Sequence, residues 1–592
     1  AGCEVGLSCI ILKFQNKKIM LDCGLHPAFS GTSSLPFFDE INPSEIDLLL
    51  ITHFHLDHCG ALPYFLEKTN FHGECYMTRP TRAIYKLILA DYVKVSYSKS
   101  EEALFKEQDL KNSVDKIKTI DYHQEIEYKG IKFCAFIAGH VLGAAMFLVE
   151  ISGINILYTG DFSREIDRHL QPAEIPDKEI NVLIIESTFG INQQENRDER
   201  EKNFTKYVDE IVSRGGKCLL PVFSFGRVQE LLLILDEFWE ANMDKFGNIP
   251  IYYAFSLAKD SIDIFRTYIN QAGDYVKKIN FEDKKNPFEF KHIKTVKLET
   301  EINELEGNKP CVVFASPGMM QNGLSKNLFV KWSNDKKTGI VITGYCVEKT
   351  LAKTVMAEPA KIEISPGKEI DILMSVKSVT FSAHSDFKHT DEFIQKLEPK
   401  NIILVHGEGK EMGRLRDEYE RLKTENDRYK KFLPKVFNPQ NCQRIAIPFK
   451  IPKKGYIIGK LCTDLFEAIS QNKQKGSELL NDTRLLKGDN SENNKMEIDD
   501  LEEKKKEAKD DELEENFYEV AGTLIDEENI LLNTDEIEKF SSNNIKSVQL
   551  KQILKVKYTL CEDILFSILK DYFNSFKQIQ NTNKYQICDK IN

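Results

Sequence analysis

No two of the thirteen cysteines stand three positions apart, so the chain can build neither a Cys-x-x-Cys zinc knuckle nor a local dithiol redox pair. Scattered single thiols suit a reducing compartment, cytosol or nucleus, and argue against a disulfide framework. No apolar run approaches the roughly 18 residues that a membrane-crossing helix needs, so a soluble protein with no membrane partner is expected. The first residues lack an initiator methionine and the basic-then-apolar order of a secretory leader, so export is not expected either. The aromatic signature of a dedicated RNA-recognition module is also missing. Histidine is scarce, 12 in 592 residues, which makes any local concentration of it informative.

Positive charge is not in excess. The net charge is −12, and residues 451–592 carry 21 Lys and Arg against 28 Asp and Glu, leaving 59 against 64 in the first 450 residues. Bulk electrostatics therefore neither draws in nor excludes a polyanion, and contact with phosphate has to come from local basic groups or bound cations. Length sets a second bound, because single hydrophobic cores stop growing at about 250 to 300 residues. Two or three folded units are implied.

What is present is a repeated texture. In residues 1–190 and again in 377–448, short runs of Ile, Leu and Val each end on an ionisable residue: Lys18 to Asp22, Asp47 to His53, Asn155 to Asp161, Asn181 to Glu186, Ser378 to His384 and Asn401 to His406. Such runs read as buried strands. Between them, residues 191–376 alternate helical patterns such as Val228 to Glu240 with apolar runs at Lys217 to Phe223, Cys311 to Ala315 and Gly339 to Thr343, which predicts an α/β unit inserted into the first. Residues 449–592 form a third region. Its stretch from about 470 to 516 is polar and low in complexity and is expected to be disordered, with a small domain of strands and helices beyond it.

The sharpest local signal is His53-Phe-His55-Leu-Asp57-His58, directly after an apolar run. His53 and His55, two apart, can grip one ion, while Asp57 and His58 reach a second. Imidazole and carboxylate without thiolate suit a hydrolytic zinc site that keeps a position open. A surface histidine cluster is the bland alternative. Against it stand His140, Asp161 and His406, each placed at the end of an apolar run. Asp161 suits a bridging role, because one carboxylate can share its oxygens between two cations, and His406 would complete the ligand set of the second ion. Asp22 reads equally well as a turn residue before Gly24 or as a group orienting the ligands.

These blocks resemble the metallo-β-lactamase fold carrying a β-CASP insertion, over residues 1 to about 450. The resemblance implies an αββα sandwich in two parts (1–190 and 377–448), an inserted β-CASP α/β domain (191–376), and a small α+β C-terminal domain (449–592) that binds partners. It also implies one zinc ion held by His53, His55, His140 and Asp161, and another by Asp57, His58, Asp161 and His406, with Asp22 behind them. Asp57 would thus share in catalysis. Two such ions about 3.5 to 4 Å apart can activate a bridging hydroxide for attack at phosphorus. His384 matches the family's proton donor to the leaving oxygen, and Glu186 the acid that orients it; a purely structural pairing of the two is the alternative.

Histidine at position 406 resembles the RNA-processing branch of the family rather than the DNA-repair branch. The blocks His53 to Pro63, Gly139 to Met146, Gly160 to Leu170, Ser316 to Gln321 and Gly344 to Glu348 are similar to nuclease subunits of cleavage and polyadenylation factors. What that implies is a nuclear zinc endoribonuclease that cuts pre-mRNA at the 3′ end, working with a non-catalytic sibling subunit and a symplekin-like scaffold. An Integrator-type endonuclease, a non-catalytic subunit of the same fold and a thioester or lactam hydrolase are the other readings. Arg164, Arg227, Lys353 and the backbone amides around Gly318 are candidate phosphate contacts.

Overall fold

The computed structural model describes residues 2–449 apart from 99–102, 224, 255–256, 283, 297–308, 345, 347–348, 366 and 433, together with short strands further on. The chain divides into two units, Ala1–Ile447 and Pro448–Asn592. In the second, the described residues form strands only: Tyr456–Ile457 with Ile530–Leu532 and Thr523–Ile525, Phe517–Val520 with Leu554–Lys557, and Phe576–Gln578 with Tyr585–Ile587. The helices expected there and the low-complexity stretch at 470–516 lie outside the described residues. No helix among the described residues is long and apolar enough to cross a membrane.

Two sheets face each other in the first unit. One has five strands in the order Ile10–Phe14, Lys17–Leu21, Leu48–Leu50, Glu74–Thr78, Ile117–Ile120. All its pairings after the first are parallel. The other has seven: Lys435–Phe437, Asn401–Val405, Val182–Glu186, Ile154–Tyr158, Ala145–Ile151, Ile131–Ile137, Glu125–Tyr128, with the first four parallel and the rest an antiparallel meander. Side chains alternate across each strand. Met20, Leu49, Ile51, Cys75 and Met77 pack under helices Leu62–Lys68, Arg79–Ser98 and Glu107–Lys116. Their neighbours Ile19, Leu21, Leu48 and Leu50 are fully buried on the opposite face, where Tyr76 meets Phe133 of the second sheet edge-on at 5.0 Å. Leu183, Ile185, Ile402 and Leu404 turn outward beneath helices Phe387–Leu397 and Gly409–Glu425. This is the αββα sandwich that the family resemblance implies.

The inserted layer is a six-stranded, all-parallel sheet in the order Ile293–Val296, Ile251–Ala254, Cys311–Ala315, Lys217–Pro221, Gly339–Ile342, Ser375–Ser378. Parallel strands covered on both faces read as unbroken apolar runs, and Cys-Val-Val-Phe-Ala at 311–315 is buried throughout. Helices Arg197–Ser213 and Val228–Ala241 cover one face, Gly323–Trp332 and Leu351–Met356 the other. A band of ion pairs fastens this layer to the sandwich loop at 165–169: Glu165 to Arg200, Asp167 to Arg227, Arg168 to Glu201 at 2.6 Å, and His169 to the buried Glu230 at 2.9 Å.

Of the segment Ser378 to His384 read as a strand, only Ser378 lies in one. Its strand stops at Ser378 and belongs to the inserted sheet, straddling the expected 376/377 boundary. Beyond it the Val379 and Phe381 amides donate to Ile342 and Thr343 of the insert at 3.0 and 2.8 Å, and the Ser385 amide donates to Phe162 of the sandwich at 2.9 Å. The apolar run is therefore a crossing between layers. Asp386 ends it by capping helix Phe387–Leu397, accepting the His389 amide at 3.0 Å, while Gln194 donates its side-chain amide to the His384 carbonyl at 3.0 Å.

Candidate metal centre

Strands that run parallel finish at the same edge, so residues far apart in sequence meet there. Asp22, His53, Asp161, Glu186 and His406 follow or end the strands Lys17–Leu21, Leu48–Leu50, Ile154–Tyr158, Val182–Glu186 and Asn401–Val405. His140 lies in the loop after Ile131–Ile137, a strand that runs in the same direction as Ile154–Tyr158 because two antiparallel steps separate them. Two of these positions carry left-handed backbone without being glycine: Asp22 at φ 60° and His406 at φ 52°. The turn swings each side chain off the strand axis into the site. Asp and His belong to the few residue types that tolerate it. Gly24 shows how close the backbones come, because a Cβ there would lie 1.6 Å from the Asp57 carbonyl oxygen.

The structure brings all seven expected ligands together, in two sets that share one carboxylate. His53, His55, His140 and Asp161 form the first, and Asp57, His58, Asp161 and His406 the second, with donor atoms inside 4.8 Å of one another. In the first set His55 Nδ1 lies 3.1 Å from both His53 Nε2 and His140 Nε2, and Asp161 Oδ2 lies 3.6 Å from each of those two nitrogens. In the second, His58 Nε2 is 3.2 Å from Asp161 Oδ2 and 3.3 Å from His406 Nε2, which is 3.2 Å from Asp57 Oδ2. Donors placed about 2.0 to 2.2 Å from a tetrahedral zinc stand about 3.4 Å apart. The spacing fits that geometry.

Charge and burial fit it too. Burial, with the neighbouring imidazoles, holds His53 and His140 well below the usual histidine range and His55 at about 4, so these rings are neutral and can offer lone pairs. Burial also presses on His58, but Asp161, Asp57 and Asp22 carry it well above its ordinary value, so a cation there has to displace a proton. Burial would raise the Asp161 carboxyl, yet His406, His58 and His384 hold it well below the usual range. Its Oδ1 is buried and accepts no hydrogen bond from the described residues. His406 Nδ1 stands 3.2 Å away without an aligned hydrogen bond, and a buried anionic oxygen so poorly paired is expensive unless a cation meets it.

Behind the ligands the polar groups are paired. Asp22 Oδ2 accepts from His58 Nδ1 and from the Tyr158 hydroxyl, both at 2.8 Å, and Oδ1 accepts the Thr52 amide at 2.7 Å. This fixes the His58 tautomer with Nε2 facing the site. His140 Nδ1 donates to the Ala383 carbonyl at 2.8 Å, so the crossing segment orients a ligand of the first set. Thr188 Oγ1 stands 3.1 Å from His406 Nδ1 and also bonds Glu186. Sequence reading picks out Asp22 but misses Thr52, Tyr158, Thr188 and the Ala383 carbonyl; common hydroxyls and a backbone group carry no local pattern. Asp22→Asn should weaken zinc binding by roughly 10- to 100-fold while the chain stays folded, because such supporting groups typically contribute that much. Competition titration against a chelator would show it, and unchanged affinity would make Asp22 a turn residue only.

Glu186 and His384 meet beside the shared carboxylate. His384 Nδ1 lies 2.9 Å from both Glu186 oxygens and 4.0 Å from Asp161. Burial would push this imidazole down, but Glu186 and Asp161 carry it up to about 9. Two of the basic side chains considered for phosphate are engaged elsewhere. Arg227 donates Nε to the Phe381 carbonyl at 2.8 Å and pairs with Asp167, and Arg164 donates to the Ala173 carbonyl with Glu392 3.6 Å away. Arg227 thereby ties the inserted layer to the sandwich loop, and Arg164 pins contacts within the sandwich. Lys353 is half-buried on helix Leu351–Met356, and Gly318 lies under the ring of Phe223.

Comparison with known proteins finds three domain matches along the chain. A metallo-beta-lactamase superfamily domain matches residues 11–188, a Beta-Casp domain residues 228–355 and a Zn-dependent metallo-hydrolase RNA specificity domain residues 369–429. Cleavage and polyadenylation specificity factor 73 of Drosophila melanogaster is 50% identical over 482 residues, 81% of this chain and 68% of that protein. The chain belongs to this family of β-CASP metallo-hydrolases. Cleavage and polyadenylation specificity factor subunit 3 of Dictyostelium discoideum is 51% identical over 78% of this β-CASP chain and 58% of its own length. Endoribonuclease YSH1 of Saccharomyces cerevisiae is 44% identical over 83% of the β-CASP chain and 64% of its own. The chain thus spans between 58% and 68% of these curated relatives.

Proposed function

We propose that the chain is a zinc-dependent endoribonuclease that cleaves messenger-RNA precursors at their 3′ ends ahead of polyadenylation. The observation that carries this reading is one buried carboxylate, Asp161, common to two complete ligand sets, with the Glu186–His384 pair 4.0 Å away. Two zinc ions, one in each set, would polarise a phosphodiester and acidify a water beside them. The chain's own residues do the rest. Asp161 and Asp57 offset the charge of the cations, and His53, His55, His58, His140 and His406 present neutral nitrogens. Glu186 accepts a hydrogen bond from Nδ1–H of protonated His384, which orients the ring and leaves the Nε2 proton to be delivered to the departing sugar oxygen.

The two complete ligand sets speak against a non-catalytic sibling, and the inserted layer against a thioester or lactam hydrolase. The choice of cleavage site falls to partners, which by family likeness are a non-catalytic subunit of the same fold and a symplekin-like scaffold in the nucleus, docked through residues 449–592. Incubating the full chain with a labelled polyadenylation-site RNA and, separately, a thioester tests the activity. Cleavage of the RNA alone, abolished by chelation and restored by zinc, is expected. Partner subunits should raise and focus the cutting, and a chain truncated after residue 450 should keep its zinc but not that stimulation. Thioester hydrolysis without RNA cleavage would overturn the reading.

A further inference from the structure

One large aromatic side chain stands at the metal centre without a place in the chemistry described. Phe223 is 47% exposed, yet its ring centroid lies 6.0 Å from that of His55, a ligand of the first set. The loop that carries it is anchored on both sides. The Val222 amide donates to Ala315 at 2.9 Å, and two residues beyond Phe223 the ring of Phe225 is buried against Phe54. Gly226 follows in left-handed backbone at φ 110°, where a Cβ would reach Val141 at 3.0 Å and His55 Nε2 at 3.7 Å. His169 Nε2 is 3.2 Å from the Gly226 carbonyl, and Arg227 bonds the Phe381 carbonyl. The exposed ring thus projects from a fixed mount. One side of it rests on Gly318, where an added Cβ would come within 3.3 Å of the ring edge.

Resting on the nuclease reading above, we infer that Phe223 is a positioning residue that stacks on an RNA base within about one nucleotide of the phosphate at the metal centre. Single-stranded RNA is held by stacking its unpaired bases on aromatic side chains, and every base offers a π-face. The contact therefore steadies the strand at the scissile bond without selecting sequence. It also supplies locally a stacking contact for which the sequence offers no dedicated aromatic recognition module.

Phe223→Ala in the full chain should raise KM for RNA on the order of tenfold, the size of loss typical when one stacking aromatic is removed. Zinc content should not change, and Phe223→Trp should restore binding while Phe223→Leu should not. The deciding substrates carry a single abasic residue, moved one position at a time across the cleavage site. At one position the wild type should fall to the level of the alanine variant, and that variant should lose nothing more. An equal loss for Phe223→Ala on every abasic RNA, or full activity in Phe223→Leu, would overturn the inference and make the ring a hydrophobic plug. Absence of RNA cleavage and binding by the wild type would sink the nuclease reading, and this inference with it.

Discussion

His384→Ala should keep both zinc ions and lose most cleavage, on the order of 10²- to 10⁴-fold in kcat, the range that a positioned general acid contributes. The geometry makes the outcome discriminating. Asp161, Glu186, His384 and His406 also lie close enough to hold an ion among them, so a ligand role for His384 is a live competitor. Its Nδ1, however, is occupied by both oxygens of Glu186 at 2.9 Å, and an imidazole bound to a carboxylate on one nitrogen is set up to give a proton from the other. Loss of zinc from the alanine variant, measured by metal analysis, would move His384 from acid to ligand.

The pH profile adds an independent check. An acid has to be protonated to act, so the rate should fall as pH rises through the His384 pKa. Glu186 and Asp161 carry that value to about 9 against the opposing effect of burial, and nearby cations can only lower it. The alkaline limb should therefore lie at or below about pH 9, shift to lower pH in Glu186→Gln, and vanish in His384→Ala.

The candidate ligands could be picked out in the sequence because metal chemistry tolerates few residue types and the fold puts them at strand ends. The cluster at His53 to His58 announces itself in a chain with so little histidine. His140, Asp161 and His406 are each unremarkable alone and become readable only together. Buried strands followed from apolar runs of strand length and the inserted α/β unit from runs alternating with helical stretches, while the αββα sandwich came from the family resemblance. The segment before His384 misled because Val379 and Phe381 are buried like strand residues, yet they pack into the core of the inserted layer, beyond the end of its strand at Ser378, with their amides on Ile342 and Thr343. The arginines misled for a related reason. Arg164 and Arg227 look like free positive charge until the fold delivers Glu392 and Asp167 to them. Supporting groups such as Tyr158 stayed hidden because their partner, Asp22, lies 136 residues away in sequence.

Asp161→Asn should be the most damaging single change in the site. A terminal ligand serves one ion, so Asp57→Asn should weaken the second ion and leave His53, His55, His140 and Asp161 intact around the first. Asp161 serves both. Its Oδ2 faces His53, His58 and His140, and its Oδ1 faces His406 Nδ1 at 3.2 Å. An amide keeps one acceptor oxygen, replaces the other with an NH2 group that cannot bind a cation, and removes the negative charge that offsets two dications. Zinc should drop from two ions per chain to one at most, and cleavage by about 10³-fold or more, since each metal contributes several kcal/mol of transition-state charge stabilisation. Asp161 is also the foremost charge raising His58, so without it that ring should give up its proton at lower pH, visible as an NMR titration midpoint moved to lower pH in zinc-free protein. A variant that still carries two zinc ions would show that the two ligand sets are held separately and that no single carboxylate joins them.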